Sequence, residues 1–426
     1  MITSNYYLGN EYAKKLRLFL NGHVERIIDF HNEMIFLDAN VHTSIIFASN
    51  RINLPYIEIF QNKRDNSNCE INLQNNFTRC NLIRKDMGDM WIIANQDASD
   101  IIKKMQAGSV HLEDITIIEK GSTSGKNDVF TVSCEFARAN KFEDDIIRKN
   151  IKNGDIHSYL ITDRGNLMIY TDNETQIDRY PNIHKYLLSH KKELLQRNEV
   201  KKGVYEWYRL ERPRNKQVFD AKEKIVVPYR AEHNRFAYDN NQYFNDGGDI
   251  RAIVISNENY SIKYLLVLLN SKLLDWYYGF IGKTKGAARE YFNKPLAEIP
   301  IPNIEKSYQQ PFIALADSML SLNSQLQEKR SQFLRGVTNN LEGVKITTAL
   351  QQFDQMNFVG FMKELKKQKI TIPLKQQNEW EDFFNDFVAE CQELSAQIKA
   401  TDEEIDNKVF DLYGLTEEER KIVMEA

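Results

Sequence analysis

Cysteine is scarce in this chain: Cys69, Cys80, Cys134 and Cys391 are the four among 426 residues. Their spacing matches neither a metal-ligand pattern nor a dense disulfide framework, which excludes a stapled secreted scaffold and fits a reducing cytosol. Long apolar runs are missing too. The most apolar window, YLLVLL at Tyr264–Leu269, is interrupted by Asn270, Lys272 and Asp275 and is too short to cross a bilayer. The opening MITSNYYLGNEYAKKL has no basic region followed by an apolar run, so it does not read as a secretory signal. The expectation is a cytoplasmic protein that does not contact a membrane. Signatures of catalysis are also missing. His111, His157, His184, His190 and His233 do not cluster as zinc ligands. Asp220, Glu223 and Lys224 are wrongly spaced for metal-dependent phosphodiester cleavage, and there is no G-x-S-x-G or P-loop. No metal site and no catalytic residue is expected.

What is present is an ordinary globular composition, with 42% hydrophobic residues, enough for two or three domains with their own cores. The net charge of −4 hides an asymmetry. From Thr371 to Ala426 there are 15 acidic residues against 5 basic, a balance of −10, so the remainder carries +6. Lys201–Pro300 alone holds 17 Lys and Arg against 12 Asp and Glu. A basic middle with an acidic tail permits a polyanionic partner, although many solvated surfaces look alike.

The first fifty residues read as strand end, helix, strand, strand. GNEYAKKLRLFLNG places Tyr12, Leu16, Phe19 and Leu20 on one helical stripe, with Asn10 as N-cap and Gly22 as stop. One helix and two strands cannot cover both faces of a sheet, so this segment reads as the back half of a doubly wound domain. From Ile52 to Pro302 short strands alternate with Asn, Asp and Gly turns, among them DMWIIA, DITIIEKG, NLMIYT, KIVVPYR and IRAIVIS. SIKYLLVLLNSKLLDWYYGFIG is apolar nearly all round and reads as a core helix. PLAEIPIPN is a boundary. Beyond it the chain is helical, with capping boxes at Thr401/Glu404 and Thr416/Glu419. The expected division is 1–60, 61–305 and 306–426.

Four stretches suit binding rather than bond-making. GSTSGKNDVF carries Ser122, Thr123, Ser124, Lys126, Asn127 and Asp128, residues able to donate to and accept from base edges or phosphates, although an ordinary β-turn has the same composition. WYRLERPRNK sets Arg209, Arg212, Arg214 and Lys216 beside aromatics, and VPYRAEHNRFAY adds Tyr229, Arg230 and Arg235. Arginine forks suit phosphate and guanine; a solvated strand edge is the alternative. GKTKGAAREYF offers Lys283 and Lys285 in a Gly-rich basic loop suited to a phosphate backbone. NLPY at Asn53–Tyr56 is one residue from N-P-P-Y, the tetrapeptide with which amino-methyltransferases of DNA hold a flipped adenine. Leu54 replaces the proline that would lock the turn, and no Gly-rich cofactor loop precedes it. It reads as a strand leaving a turn.

In order along the chain, GSTSGKNDVF, IIRKNIKNGDIHSYLI, YPNIHKYLLSHKKELLQR, YEWYRLERPRNKQVFDAKEKIVVPYR, NRFAYDNNQYF, YLLVLLNSKLLDWYY, KGAAREYFNKPLAEIPIP and IDNKVFDLYGLTEEERKIV resemble the C-terminal target-recognition domain of TaqI-type DNA adenine methyltransferases, including the fused restriction–modification enzymes. MITSNYYLGNEYAKKLRLFL resembles the late part of the family's catalytic domain. The resemblance implies an α+β fold: a partial α/β methyltransferase-like remnant, a mixed, mostly β recognition domain with helices, and a C-terminal helical region. It implies double-stranded DNA as partner, with Ser122–Asp128 reading bases and Arg209, Arg212, Arg214, Arg230, Lys283 and Lys285 holding phosphates; Tyr229 and Arg235 belong to the same surface. Arg148, with Lys149 and Asp155, is carried over from a segment that departs from the family's pattern. Phe36 matches the aromatic that stacks on a flipped adenine, the alternative being a core Phe. The family's cofactor loop and N-P-P-Y are expected before Met1. Hence no cofactor is expected on this chain, while S-adenosylmethionine is implied for the complete enzyme. The reading is the specificity part of an adenine-methylating restriction–modification system, working with a separate methyltransferase or nuclease subunit. An active methyltransferase using NLPY and a protein-interaction subunit of such a complex stand as alternatives.

Overall fold

The computed structural model describes all residues of the chain except 9, 10, 32, 34, 37, 40, 51–53, 63–76, 84–90, 286 and 426. The fold is α+β. Two compact units make it up: residues 1–308 with 409–426, and residues 309–408. The sequence assigned all of 306–426 to one helical region. The last eighteen residues instead return to the first unit, where the buried Tyr413 donates its hydroxyl to Pro300 O at 2.7 Å.

The first unit begins with five strands: β1 (Ile2–Ser4), β2 (Val24–Asp29), β3 (Thr43–Ala48), β4 (Tyr56–Asn62) and β5 (Phe77–Ile83). They lie in the order β1-β3-β2-β4-β5, antiparallel except for β2 against β4. The crossover from β2 to a parallel β4 places Val24, Ile27, Ile57 and Ile59 in one core with Leu20 and Trp91. The strand–helix–strand–strand order expected for the first fifty residues is present, but the helix Lys14–Asn21 is turned. Arg17 and Leu20 face inward, and Arg17 donates to Tyr7 O at 2.7 Å. Leu16 and Phe19 of the expected stripe are 47% and 60% exposed. Gly22 ends the helix in right-handed conformation (φ −81°), so its conformational freedom is not used. Asn10 lies outside the described residues. In NLPY, Asn53 does too, and Tyr56 opens β4.

Next come β6 (Ser109–His111), β7 (Thr116–Lys120), β8 (Thr131–Ser133), β9 (Ile147–Lys149), β10 (Ile156–His157), β11 (Leu160–Ile161) and β12 (Asn166–Ile169). They are followed by β13 (Lys224–Pro228), β14 (Arg230–Ala231), β15 (Ala237–Asp239), β16 (Ile250–Ile255), β17 (Lys283–Lys285), β18 (Ala288–Glu290) and β19 (Pro300–Pro302). The central sheet runs β15-β13-β16-β7, all antiparallel. KIVVP on β13 is buried at every position, so this strand is covered on both faces. Ile225, Val226 and Val227 are sealed there, as are Ala252 and Ile253 on β16.

The long apolar stretch forms two helices rather than one, Ile262–Asn270 and Lys272–Ile281. Ser271 breaks it: its backbone is extended, and its hydroxyl accepts from Leu274 N as the N-cap of the second helix. The basic loop expected at Lys283–Lys285 is a strand, with β17 paired to β18 and β18 to β14. DMWIIA is not a strand over its described residues, Trp91–Ala94.

The second unit is helical. Gln310–Asn340 and Gln377–Leu412 are its long helices, with Phe358–Lys367 between them. Its core centres on Phe333, whose ring stacks on Phe353 at 3.8 Å between centroids, with Phe361 and Phe384 beside it. No helix begins at Thr401: its hydroxyl donates to Gln397 O within the continuous helix. The capping box at Thr416 forms as expected, with Glu419 returning to Thr416 N at 2.8 Å. Among the described residues no helix is long and apolar enough to cross a membrane.

Candidate nucleic-acid interface

Three segments far apart in sequence meet at the Gly121–Asp128 loop. Thr123 N donates to Arg212 O at 2.9 Å and Arg212 N to Thr123 O at 2.8 Å, which joins the loop to Arg212–Lys216. Gly247 N donates to Ser122 O at 2.9 Å, which joins it to Asn245–Arg251. At Gly121 the backbone comes so close to Asn245 that an added Cβ would lie 2.3 Å from its Oδ1. Gly248 has φ +66°, a conformation that calls for glycine, and its Cα lies close under the Lys120 side chain, where an added Cβ would be 2.8 Å from Cε.

A buried carboxylate organises the loop. Asp246 is 2% exposed. Its Oδ1 accepts from Ser124 N at 2.8 Å, and its Oδ2 from Ser124 Oγ at 2.8 Å and Thr131 Oγ1 at 3.4 Å. Asn150 Oδ1 accepts from Asp246 N, and Asn127 Nδ2 donates to Asp246 O. Burial raises the Asp246 carboxyl above its ordinary value, while the bonds from Ser124 and Thr131 oppose that rise. Arg197, 7% exposed, braces the other side. Its Nη1 donates to Ser124 O at 2.7 Å and Arg209 O at 2.9 Å, and its Nη2 to Trp207 O at 2.5 Å.

This geometry divides the residues expected to touch DNA. Ser122 and Ser124 are fully buried, the first bonded to Pro213 O and the second to Asp246. Direct base reading by these two hydroxyls is therefore corrected: they hold the loop's shape. Thr123 and Lys126 are half-buried, Asn127 and Asp128 exposed.

The arginines divide in the same way. Arg212 and Arg214 are exposed; among the described residues the Arg212 guanidinium has one ion pair, a loose one with the adjacent Glu211 at 3.9 Å. Arg209 spends Nη1 on Leu210 O and Glu211 O and lies over the Tyr205 ring. Arg148 donates to Asp145 O and Ile147 O and lies over Phe244. Arg235 donates to Ile156 O and Arg230 O. Arg230 and Tyr229 both bond the carboxylate of Glu290, 3% exposed, and Lys283 Nζ lies 3.7 Å from its other oxygen. That convergence holds the Glu290 carboxyl below its usual value against burial, the largest single influence. Phosphate contact by Arg148, Arg209, Arg230 and Arg235 is thus opposed by partners inside the fold. Lys285 stands on β17, its side chain outside the described residues. Lys149 lies over the Tyr243 ring, and Asp155 is buried against Arg164 at 2.5 Å.

Phe36 lies between β2 and β3 and is 44% exposed, so it is not a core Phe. Among the described residues, His111, Glu113 and Glu298 form one group with metal-ligand spacing. The Lys294 ammonium already lies 3.2 Å from Glu113 and 2.5 Å from Glu298 and supplies the cation there.

Two further cations at the loop were not singled out from the sequence. Lys120 ends β7 and Arg251 is the second residue of β16, and they face each other across the ladder. The one signal was position: each sits at a strand end beside the glycines of EKGS or DGGD.

The first unit thus carries a braced polar loop with Lys120, Arg212, Arg214 and Arg251 on the segments joined to it. Residues 149–301 match the TaqI-like C-terminal specificity domain family. Residues 305–409 match a family described as a domain of unknown function, DUF8810. The chain is 24% identical over 341 residues to the type II restriction enzyme and methyltransferase RM.Eco57I of Escherichia coli, covering 69% of this chain and 33% of that one. It is 22% identical over 377 residues to the type II methyltransferase M.BanIII of Aneurinibacillus aneurinilyticus, covering 77% and 64%. It therefore spans a third to two thirds of the length of these relatives. Among solved structures it is similar to the type IIL restriction–modification enzyme MmeI in complex with DNA, with TM-score 0.48 and 11% identity, over 95% of this chain and 49% of that one.

Proposed function

We propose that the chain recognises a specific sequence of double-stranded DNA as the specificity part of an adenine-methylating restriction–modification system. The observation that carries this reading is the meeting of Thr123–Asp128, Arg212–Lys216 and Asn245–Arg251 at one braced loop, next to and partly within the specificity domain. Thr123, Lys126, Asn127 and Asp128 present donors and acceptors for base edges, and Arg212 and Arg214 present forks for phosphate. Methyl transfer is assigned to residues other than these 426, on the same polypeptide or a separate methyltransferase subunit, and S-adenosylmethionine is held there. Phe36, exposed between β2 and β3, stacks on a flipped adenine once that half is in place.

The test is duplex retardation over a range of salt. Binding should weaken steeply with salt, and R212A/R214A should flatten the log–log slope by about two, one for each phosphate no longer neutralised. Binding that is undetectable or indifferent to salt would instead favour an interaction subunit. Calorimetry with S-adenosylmethionine separates the enzyme alternative: the chain alone should release no heat of binding, and tight binding would restore NLPY as a catalytic candidate.

A further inference from the structure

We infer that Lys120, Arg212, Arg214 and Arg251 form a pocket for a single phosphate group, seated on the Gly247–Gly248 turn beside the reading loop. The inference rests on the proposed function and deepens it by naming where the DNA backbone is anchored.

The four cations come from three segments. Lys120 and Arg251 are cross-strand partners on β7 and β16. Arg212 is tied to the loop by its two backbone bonds to Thr123, and Arg214 lies two residues further on, in left-handed conformation (φ 63°). The Lys120 stem passes over Gly248, whose Cα approaches it as closely as it does because no side chain intervenes.

Carboxylates do not balance this charge. Among the described residues neither Lys120, Arg214 nor Arg251 has an acid within ion-pair distance, and Arg212 has only its loose neighbour. Asp249, the acid that acts on Arg251, is committed to Asn245 Nδ2 at 2.6 Å and Asn153 N at 3.2 Å. Asp246 is committed to Ser124.

Arg251 shares with Arg209 a buried, unpartnered Nε and differs from it in lying opposite Lys120 on the ladder. Arg251 is 3% exposed, its Nη1 donates to Gly248 O and Ile250 O, its guanidinium lies over the Tyr229 ring, and its Nε is buried without a hydrogen-bond partner among the described residues. A buried guanidinium without a carboxylate and with an unused donor is costly unless an anion arrives. The mutual repulsion is also visible at Lys120. Its ammonium is held below its usual value by burial first, then by Arg251, Arg214 and Arg212. A backbone phosphodiester, with one negative charge shared over two unesterified oxygens, matches cationic donors brought together from different segments.

Competitive acylation of lysines in the full chain, read peptide by peptide, tests the pocket with inorganic pyrophosphate as probe. At constant ionic strength millimolar pyrophosphate should slow modification of Lys120 several-fold while leaving Lys399, whose side chain is 79% exposed on the Gln377–Leu412 helix, unchanged. Arg214→Ala, at an exposed position, should abolish that protection without loss of folding. An unchanged Lys120 rate in pyrophosphate overturns the pocket. Protection without salt-dependent duplex binding would uphold the pocket and overturn the DNA-reading function. Duplex binding with an unprotected Lys120 would do the reverse.

Discussion

Lys224→Met is expected to destabilise the first unit by about 3–5 kcal/mol, the cost of leaving one partner of a buried ion pair alone. Lys224 and Asp239 are both fully buried, with Nζ 2.6 Å from Oδ2, and the ammonium also donates to Phe219 O at 2.8 Å. Burial lowers the Lys224 ammonium from its usual value, and Asp239 opposes that fall. The two residues sit directly opposite each other on β13 and β15. Removing the cation strands a carboxylate that also orders the following turn, where Asp239 accepts from Asn241 N and Tyr243 N. Chemical denaturation of the wild type, the single variant and K224M/D239L measures this. The double variant should recover part of the loss, because it strands no charge but leaves Asn241 N and Tyr243 N without their acceptor. Equal instability of single and double variants would mean that the turn bonds lost with Asp239 cost as much as the stranded charge.

Asp246→Ala should have the second largest effect, and it separates shape from charge. The substitution orphans Ser124 N and removes the acceptor of the Ser124 and Thr131 hydroxyls, which keep only their bonds from Lys126 N and Asn150 Nδ2, and the expected loss is about 3 kcal/mol. The functional consequence is more specific. The cations around the loop are untouched, so the salt slope of duplex binding should stay that of the wild type. Discrimination between a preferred and a scrambled duplex should collapse, by about 1–3 kcal/mol for each base that is no longer read. Asp246→Asn keeps an oxygen for Ser124 N and should restore part of the discrimination. A parallel fall of affinity on both duplexes would assign Asp246 to stability only.

What the sequence disclosed and what it hid follow from the range of the interactions. Local patterns were readable: the buried run KIVVP, the Thr416–Glu419 capping box, the apolar character of Ile262–Ile281. Failures came where a distant residue decides. Nothing near Arg230 says that it is neutralised, because Glu290 lies 60 positions away. Ser124 looks like a base reader until Asp246, 122 positions on, claims both its hydroxyl and its amide. Lys120 and Arg251 were overlooked for the converse reason: each is an unremarkable strand-end cation until the antiparallel register sets them opposite one another. The turned helix at Lys14–Asn21 shows a third limit, since helical periodicity fixes a stripe but not the side of it that faces the core. Basic residues were thus correctly located in the middle of the chain, while the subset available to a ligand depended on tertiary pairing.

The central claim is that the loop braced by Asp246 and Arg197 reads DNA sequence. Selection from a pool of randomised duplexes by the full chain, at physiological salt, tests it most directly. The account predicts enrichment of one short motif, abolished in Asp246→Ala and retained with weaker overall binding in R212A/R214A. A wild-type pool that stays random while duplex binding is intact would contradict it and leave a surface that only grips the DNA backbone.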